Sequence, residues 1–310
     1  MSSETPVRTA IITGACSGMG LALTRHLLSS KTICWMIVMA DINEKAYFDI
    51  SPTLSEDVGR VMFERTDVSS WEDNARLFKK AFNWSSAVTD DEKGRIDFFA
   101  ANAGILDQES IYAHFDLEAE PAKPNLATIE VDLLSSLYGL KLFIHYARKT
   151  RAQLPASALF TPAMIITASA VALYQFSIGP QYCAAKSGLV GLTRSVGPKL
   201  LAEDNLTVNA ILPGLVATAL PAAWLLEQCP PEYITPMSLI IEAFDELMKE
   251  EIMDGKLTRK TGQCVEVSED KLHYRKPLEY SSEGARWLLD GDMERRFVTS
   301  GPPSTDAKDQ

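Results

Sequence analysis

Cysteine, histidine and positive charge are all scarce in this chain of 310 residues. The five cysteines, Cys16, Cys34, Cys183, Cys229 and Cys264, form no CxxC pair and lack the density of a secreted scaffold, which points to a reducing compartment. Four histidines, none with a zinc-site spacing to cysteine, exclude an obvious metal site. With 30 Lys and Arg against 41 Asp and Glu, the formal net charge of -11 disfavours nucleic acid and anionic membrane as partners. Long apolar runs are also missing: the longest, Ile33 to Ala40, falls far short of the roughly 20 residues of a membrane span. The opening MSSETPVRTA has no basic region followed by an apolar stretch, so a cytoplasmic location is expected. No internal repeat, low-complexity block or Gly/Ser-rich linker interrupts the first 215 residues.

What remains is ordinary globular composition, 46% apolar, on a chain long enough to bury a core without staples. Short β-rich runs alternate with helical patterns. Strands are expected at Val7–Thr13, Ile33–Ala40, Arg60–Arg65, Arg95–Ala101, Ala163–Thr167 and Leu206–Leu212. Helices are expected at Gly18–Ser29, Trp71–Ala87, about Asn125 to Lys149, and about Pro180 to Leu201. Strands apolar on both faces, alternating with helices, imply an α/β fold with a doubly wound parallel sheet. After Gly214 the alternation breaks. Helices at Ala222–Gln228 and Met237–Asp254 precede a last strand near Thr261–Val267. An insertion at residues 215–258 would sit at the carboxyl ends of the strands, as a helical lid or as ordinary packing helices. The expected organisation is one domain over residues 1–300 and a flexible polar tail from Gly301 to Gln310.

Directly after the first strand stands Thr13-Gly14-Ala15-Cys16-Ser17-Gly18-Met19-Gly20, leading into an amphipathic segment. Glycines at a strand-to-helix turn let the backbone approach a pyrophosphate, whose charge then meets the helix N-terminus. The second strand ends at Asp41, 21 residues after Gly20 and followed by Ile42 rather than Arg or Lys. A carboxylate there binds the two ribose hydroxyls of adenosine and repels a 2′-phosphate, favouring NAD over NADP. Asp67-Val68 closes the third strand and Asn102-Ala103-Gly104 the fourth, both at the edge where a dinucleotide lies. Tyr182 and Lys186 are four apart, so a helix puts them on one face, and Ser169 ends the fifth strand thirteen residues upstream of Tyr182. An ammonium beside a phenol favours the phenolate, so the pair is a plausible acid/base at neutral pH.

In combination these motifs resemble the short-chain dehydrogenase/reductase family. The resemblance spans about residues 6 to 220, from TGxxxGxG at Thr13–Gly20 through Asp41, Asp67-Val68, Asn102–Gly104, Ser169 and Tyr182–Lys186 to Val208–Gly214 and Thr218. The residues around Ala101–Ile105, the LPGLVAT stretch and GQCVEVSEDKLHYRKP are most similar to the NAD-dependent branch typified by 15-hydroxyprostaglandin dehydrogenase, whose fungal members often act on natural products. The resemblance implies that Tyr182 exchanges a proton with the substrate oxygen, Ser169 hydrogen-bonds that oxygen, and Lys186 holds the nicotinamide ribose. It further implies that Gly14, Ser17, Gly18, Met19 and Gly20 wrap the pyrophosphate and Asp41 the adenosine ribose. Asp67 and Val68 would meet the adenine, and Asn102, Ala103 and Gly104 would lie beneath the cofactor. Val216 and Thr218 would contact the carboxamide and phosphates, with Pro213 and Gly214 also at the cofactor.

One position departs from the family. Where an Asn is usual in the helix after the fourth strand, Glu130-Val131-Asp132-Leu133-Leu134 places Asp132, unless the long 107–124 loop shifts the register. A carboxylate accepts from water but does not donate as an amide does, and it pairs with a lysine. The expected activity is NAD-dependent interconversion of a secondary alcohol and a ketone on a hydrophobic small molecule, a terpenoid or polyketide intermediate. Leu220, Trp224, Leu225, Leu239 and Ile240 are the apolar residues that suggest such a substrate. Asp132 keeps a second reading open, a non-redox isomerase, dehydratase or cyclase; a third is a binding protein that responds to NAD without turnover. The helices Asn125–Lys149 and Pro180–Leu201, with Gly188 and Gly191, resemble the surface through which this family forms homodimers and homotetramers. Cys16 stands at a helix start, a setting that lowers a thiol pKa. His26 and His114 have no partner at relay spacing.

Overall fold

Residue by residue, the first strand alternates the side of the sheet it serves: Ile11 packs into one apolar cluster and Ile12 into the other. The computed structural model describes residues 5–88, 93–113, 116–253 and 256–289. His114 and the 301–310 tail lie outside them. The chain forms two units, Met1–Arg275 and Lys276–Gln310.

In the first unit, strands β1 (Val7–Thr13), β2 (Cys34–Asp41), β3 (Val61–Arg65), β4 (Phe98–Ala101), β5 (Ala163–Thr167) and β6 (Thr207–Pro213) are parallel. They alternate with helices α1 (Gly18–Leu28), α2 (Glu44–Ile50), α3 (Trp71–Val88), α4 (Ala127–Ile129), α5 (Ser135–Gln153) and α6 (Pro180–Asp204). Beyond β6 come α7 (Ala223–Gln228), α8 (Met237–Met248), a hairpin of β7 (Glu250–Met253) with β8 (Lys256–Arg259), and strands β9 (Cys264–Ser268) and β10 (Lys271–Tyr274). The main sheet runs β10-β9-β6-β5-β4-β1-β2-β3, and only β10 is antiparallel to its neighbour. Strand order reverses between β1 and β4, which opens a crevice at their carboxyl ends. This is a Rossmann-type doubly wound fold.

Both faces of the sheet are covered. On one, Phe78, Phe82, Phe143 and Leu189 from α3, α5 and α6 pack on Ile11, Val38 and Phe99. On the other, Leu23 and Leu27 of α1 and Ile240, Phe244 and Leu247 of α8 pack on Ile12, Ile37, Phe98 and Ile211. Truncating a fully buried ring such as Phe244 to Ala costs about 3–5 kcal/mol.

Two expectations are revised here. The helix read as Met237–Asp254 stops at Met248, because Lys249 turns extended (ψ 133°) and Glu250 starts a strand whose side chain accepts from Thr161 Oγ1 at 2.6 Å. Leu239 and Ile240 are core residues of the sheet-covering α8, whereas Leu220, Trp224 and Leu225 are exposed. The insertion is therefore two things, a packing helix and an exposed apolar segment preceding it. Elements without a clear pattern went unanticipated: α2, the 3-10 segment Ser51–Arg60, the β7–β8 hairpin and β10.

In the second unit, α9 (Glu283–Leu289) starts at Ser282, whose Oγ accepts from Ala285 N at 3.1 Å. Tyr280 closes the helix by donating to the Leu289 carbonyl at 3.2 Å. Among the described residues no helix is long and apolar enough to cross a membrane.

Candidate active site

The glycine turn is built for close approach. Gly14 and Gly18 have φ of +63° and +49°, where a side chain is strained. Gly20 is different: a Cβ there would lie 2.2 Å from the Gly14 carbonyl oxygen, so the turn and the helix could not close over it. Ser17 caps α1 without a side-chain hydrogen bond, and no acidic residue occupies the first turn, leaving helix amides for an anion. Thr218 arrives from the segment after β6, its Cγ2 3.2 Å from the position of a Cβ on Gly18. Val216 is buried nearby in sequence and accepts from Thr218 N at 2.8 Å, while Gly214 N donates to the Val267 carbonyl at 2.8 Å.

Thr13 organises the crevice. Its hydroxyl accepts from Asn102 N at 3.0 Å and Ala103 N at 3.1 Å, and Asn102 Nδ2 donates to the Thr13 carbonyl at 3.0 Å. Asn102 Oδ1 accepts from Thr167 Oγ1 at 3.1 Å, so the ends of β1, β4 and β5 are laced together. Asp41 closes over the turn from β2, taking Cys16 N on Oδ2 at 3.0 Å and Asn43 N on Oδ1 at 2.9 Å. Each oxygen keeps acceptor capacity for a hydroxyl. Asp67 holds Ser69 by its amide at 2.9 Å and its hydroxyl at 2.6 Å, and the Val68 carbonyl accepts from Asn74 Nδ2 at 2.8 Å.

Cys16 corrects an expectation. Burial, and then the adjacent Asp41 carboxylate, push its thiol up to about 12, so the helix start does not activate it.

Beside this cradle stand the acid/base candidates. Tyr182 and Lys186 share a face of α6, with the Lys186 ammonium 5.3 Å from the Tyr182 ring centroid. Lys186 Nζ donates to the Thr167 carbonyl at 2.9 Å and lies 3.0 Å from Asp132 Oδ2, both side chains being buried. Asp132 Oδ1 accepts from Ile105 N at 2.8 Å. Asp132 is thus brought between Lys186 and the segment that leaves β4. Burial lifts its carboxyl above the usual range, against the opposing pull of Lys186. Asp132 is carried on a π turn, Glu130–Leu134, which interrupts what the sequence reads as one continuous helix. Gly104 leaves room for the pair: a Cβ there would be 3.2 Å from both Asp132 Oδ2 and Lys186 Nζ.

Ser169 adopts extended backbone (φ -167°, ψ 157°) at the end of β5 and caps a short 3-10 turn, Ala170–Ala172. That turn is fastened to α6, since Cys183 Sγ donates to the Val171 carbonyl at 3.2 Å and Ser187 Oγ to the Ala172 carbonyl at 3.2 Å.

A model of the family described as short chain dehydrogenase matches residues 8–228. The chain belongs to the short-chain dehydrogenase family. Among its relatives, short-chain dehydrogenase/reductase prx6 of Penicillium rubens is 28% identical, over 88% of this chain and 87% of that one. Prx7 of the same organism is also 28% identical, over 90% and 98%. Of solved structures, a 3-ketoacyl-(acyl-carrier-protein) reductase from Brucella melitensis complexed with NADH superposes with a TM-score of 0.65 at 17% identity, over 85% of this chain and 97% of that one. An alcohol dehydrogenase from Thermococcus sibiricus complexed with 5-hydroxy-NADP gives 0.61 at 21% identity, over 88% and 100%.

The glycine turn, Asp41, Asn102–Gly104 and the Lys186–Asp132 pair are thus linked by contacts at the carboxyl ends of β1, β2, β4 and β5, and Asp67 and Val68 follow β3. Sequence reasoning missed Thr13 as the hub and Asp107, which accepts from Gln181 N at 3.0 Å and Tyr182 N at 2.7 Å. Asp107 gives no local signal, because its partners lie 74 and 75 residues away. His26, without a partner at relay spacing in sequence, meets Asp245 of α8 at 2.8 Å on the surface.

Proposed function

We infer that the protein is an NAD-dependent oxidoreductase that interconverts a secondary alcohol and a ketone on a hydrophobic small molecule. The observation that carries this reading is Lys186, pinned by Thr167 and Asp132 beneath Tyr182, beside a glycine cradle that a single Cβ would fill. The cradle fits a dinucleotide: Gly14, Ser17, Gly18, Met19 and Gly20 would hold the pyrophosphate, with Pro213, Gly214, Val216 and Thr218 on the nicotinamide side. Bound NAD would supply the hydride acceptor. Tyr182 Oη takes the proton of the alcohol oxygen, or returns it in the reverse direction, while Ser169 Oγ hydrogen-bonds that oxygen. Lys186 supports the phenol and the nicotinamide ribose; Asp132 fixes Lys186.

Asp41 supports NAD over NADP. Its carboxylate faces the glycine turn, and the following Ile42 is exposed and uncharged, so nothing there compensates a 2′-phosphate. A hydrophobic substrate is supported by exposed apolar side chains on segments that leave the carboxyl ends of three strands: Tyr112 after β4, Tyr174 and Ile178 after β5, Trp224, Leu225 and Tyr233 after β6. A natural-product intermediate, terpenoid or polyketide, is the class we propose. We further place the enzyme in the cytoplasm as a homodimer or homotetramer assembled through α5 and α6. Gly191 supports that surface, since nothing lies within 4 Å of a Cβ built on it, whereas Gly188 packs against Leu133 within the chain.

The test is NADH formation from NAD, and NADPH from NADP, across a panel of bulky secondary alcohols. NAD reduction abolished in Tyr182→Phe, and NADP use gained in Asp41→Ala, is the expected result; turnover retained by Tyr182→Phe sinks the reading. The Lys186–Asp132 pairing favours one alternative, a non-redox isomerase, dehydratase or cyclase. Product of unchanged mass, or lighter by one water, without change in NADH absorbance would establish it.

A further inference from the structure

The helix that carries Tyr182 does not cap itself. α6 opens with Gly179 and Pro180, and no side chain of its own first turn bonds its free amides. Those of Gln181 and Tyr182 are met from elsewhere in the chain, by the two carboxylate oxygens of Asp107: Oδ2 takes Gln181 N at 3.0 Å and Oδ1 takes Tyr182 N at 2.7 Å. A carboxylate at a helix N-terminus also meets the positive end of the helix dipole. Asp107 comes three residues after Gly104, on the segment that leaves β4. The residues between are occupied in the same place: Ile105 N donates to Asp132 Oδ1 at 2.8 Å, and the Leu106 carbonyl accepts from Thr128 Oγ1 at 3.1 Å. One stretch, residues 102–107, therefore touches the glycine turn, the Lys186–Asp132 pair and the backbone of Tyr182.

We propose that Asp107 is a positioning residue for Tyr182. It rests on the acid/base reading of Tyr182 given above. Both oxygens clamp the first turn of α6, so the phenol is held in the register set by Lys186 one turn further on. Without the clamp the first turn is free to fray at Gly179, and Tyr182, at its third position, moves with it. Displacement of about 1 Å at a reacting group is enough to cost catalysis heavily while leaving the glycine turn, on another element, intact. The segment from β4 also makes the position of Tyr182 depend on residues lying under the proposed cofactor.

The experiment compares wild type, Asp107→Ala and Asp107→Asn for kcat and KM with the best alcohol and for NADH affinity by fluorescence. All three are also labelled with 13C-tyrosine, the Tyr182 resonance being assigned by its loss in Tyr182→Phe. In Asp107→Ala, kcat falls on the order of ten- to a hundredfold, while NADH affinity stays within about threefold. Asp107→Asn, which keeps one acceptor oxygen, recovers part of the loss and serves where the alanine variant folds poorly. A folded Asp107→Ala with kcat within about twofold of wild type overturns the proposal. If wild type is silent on every alcohol, the dehydrogenase reading fails by itself, and the Tyr182 resonance decides the positioning role. A shifted or broadened signal in Asp107→Ala upholds it, and a superimposable one overturns it.

Discussion

The ammonium of Lys186 rests 3.0 Å from one oxygen of Asp132, and the other oxygen takes a backbone amide, from Ile105, at 2.8 Å. Burial is the largest influence on this carboxyl and raises it above the usual range, with the Lys186 charge pulling the other way. A carboxyl raised on folding binds its proton more tightly in the native state. Its contribution to stability is therefore present in acid and is lost as pH rises from the ordinary carboxylate range toward the folded value. Asp132→Asn carries no such loss, so its melting temperature should climb relative to wild type between about pH 4 and about pH 7. Thermal melts across that range check it; wild type gaining on the variant would mean that the ion pair outweighs burial.

Gly20→Ala separates steric closure from backbone strain. Gly20 has an ordinary helical conformation, so the cost of its Cβ comes from the Gly14 carbonyl oxygen 2.2 Å away. The turn must open, and NADH affinity measured by fluorescence titration is expected to fall by at least about tenfold, equivalent to about 1.4 kcal/mol. Affinity equal to wild type would show that the turn does not shape the cofactor site.

Thiol labelling should distinguish the cysteines. Cys16 is buried, with its thiol pushed up to about 12, and Cys264 is buried and raised for the same reason. Iodoacetamide at about pH 8 is expected to spare both in the native protein and to reach them only after denaturation. Peptide mapping that found native Cys16 alkylated as fast as the half-buried Cys34 would contradict this.

Glu266 of β9 is a buried carboxylate with two partners, Tyr174 Oη at 3.0 Å and Arg275 Nε at 2.6 Å. Glu266→Ala removes the carboxylate from both, leaving Arg275 only the Tyr174 hydroxyl at 2.9 Å, and should cost about 1–3 kcal/mol in urea unfolding. Tyr174 lies on the segment after Ser169, so turnover should suffer as well. A variant as stable as wild type would make the cluster a surface ornament.

The doubly wound parallel sheet and the glycine turn were legible because the motifs are local: Thr13–Gly20 announces its turn, and Tyr182 and Lys186 announce a shared helix face. Strand ends were accurate within one to three residues where apolar runs stop at a polar residue, as at Asp41. What stayed hidden was non-local. The π turn carries Asp132, whose carboxylate reaches both Lys186 and Ile105, and no periodicity encodes that reach. The β7 strand hid inside a helical pattern because its partner, β8, supplies the hydrogen bonds that decide its conformation. Asp107 reads as one more loop acid until α6 is folded against it.

The two edges of the eight-stranded sheet have a consequence for self-association. β3 ends in Glu64 and Arg65, and Glu64 is held by Arg76 and Lys80; β10, only four residues long, carries Lys271 and His273. Short, charged strands at both margins are poor templates for another chain. Joining of copies margin to margin into ribbons is thereby disfavoured. A sheet guarded in this way is a poor seed for fibrils.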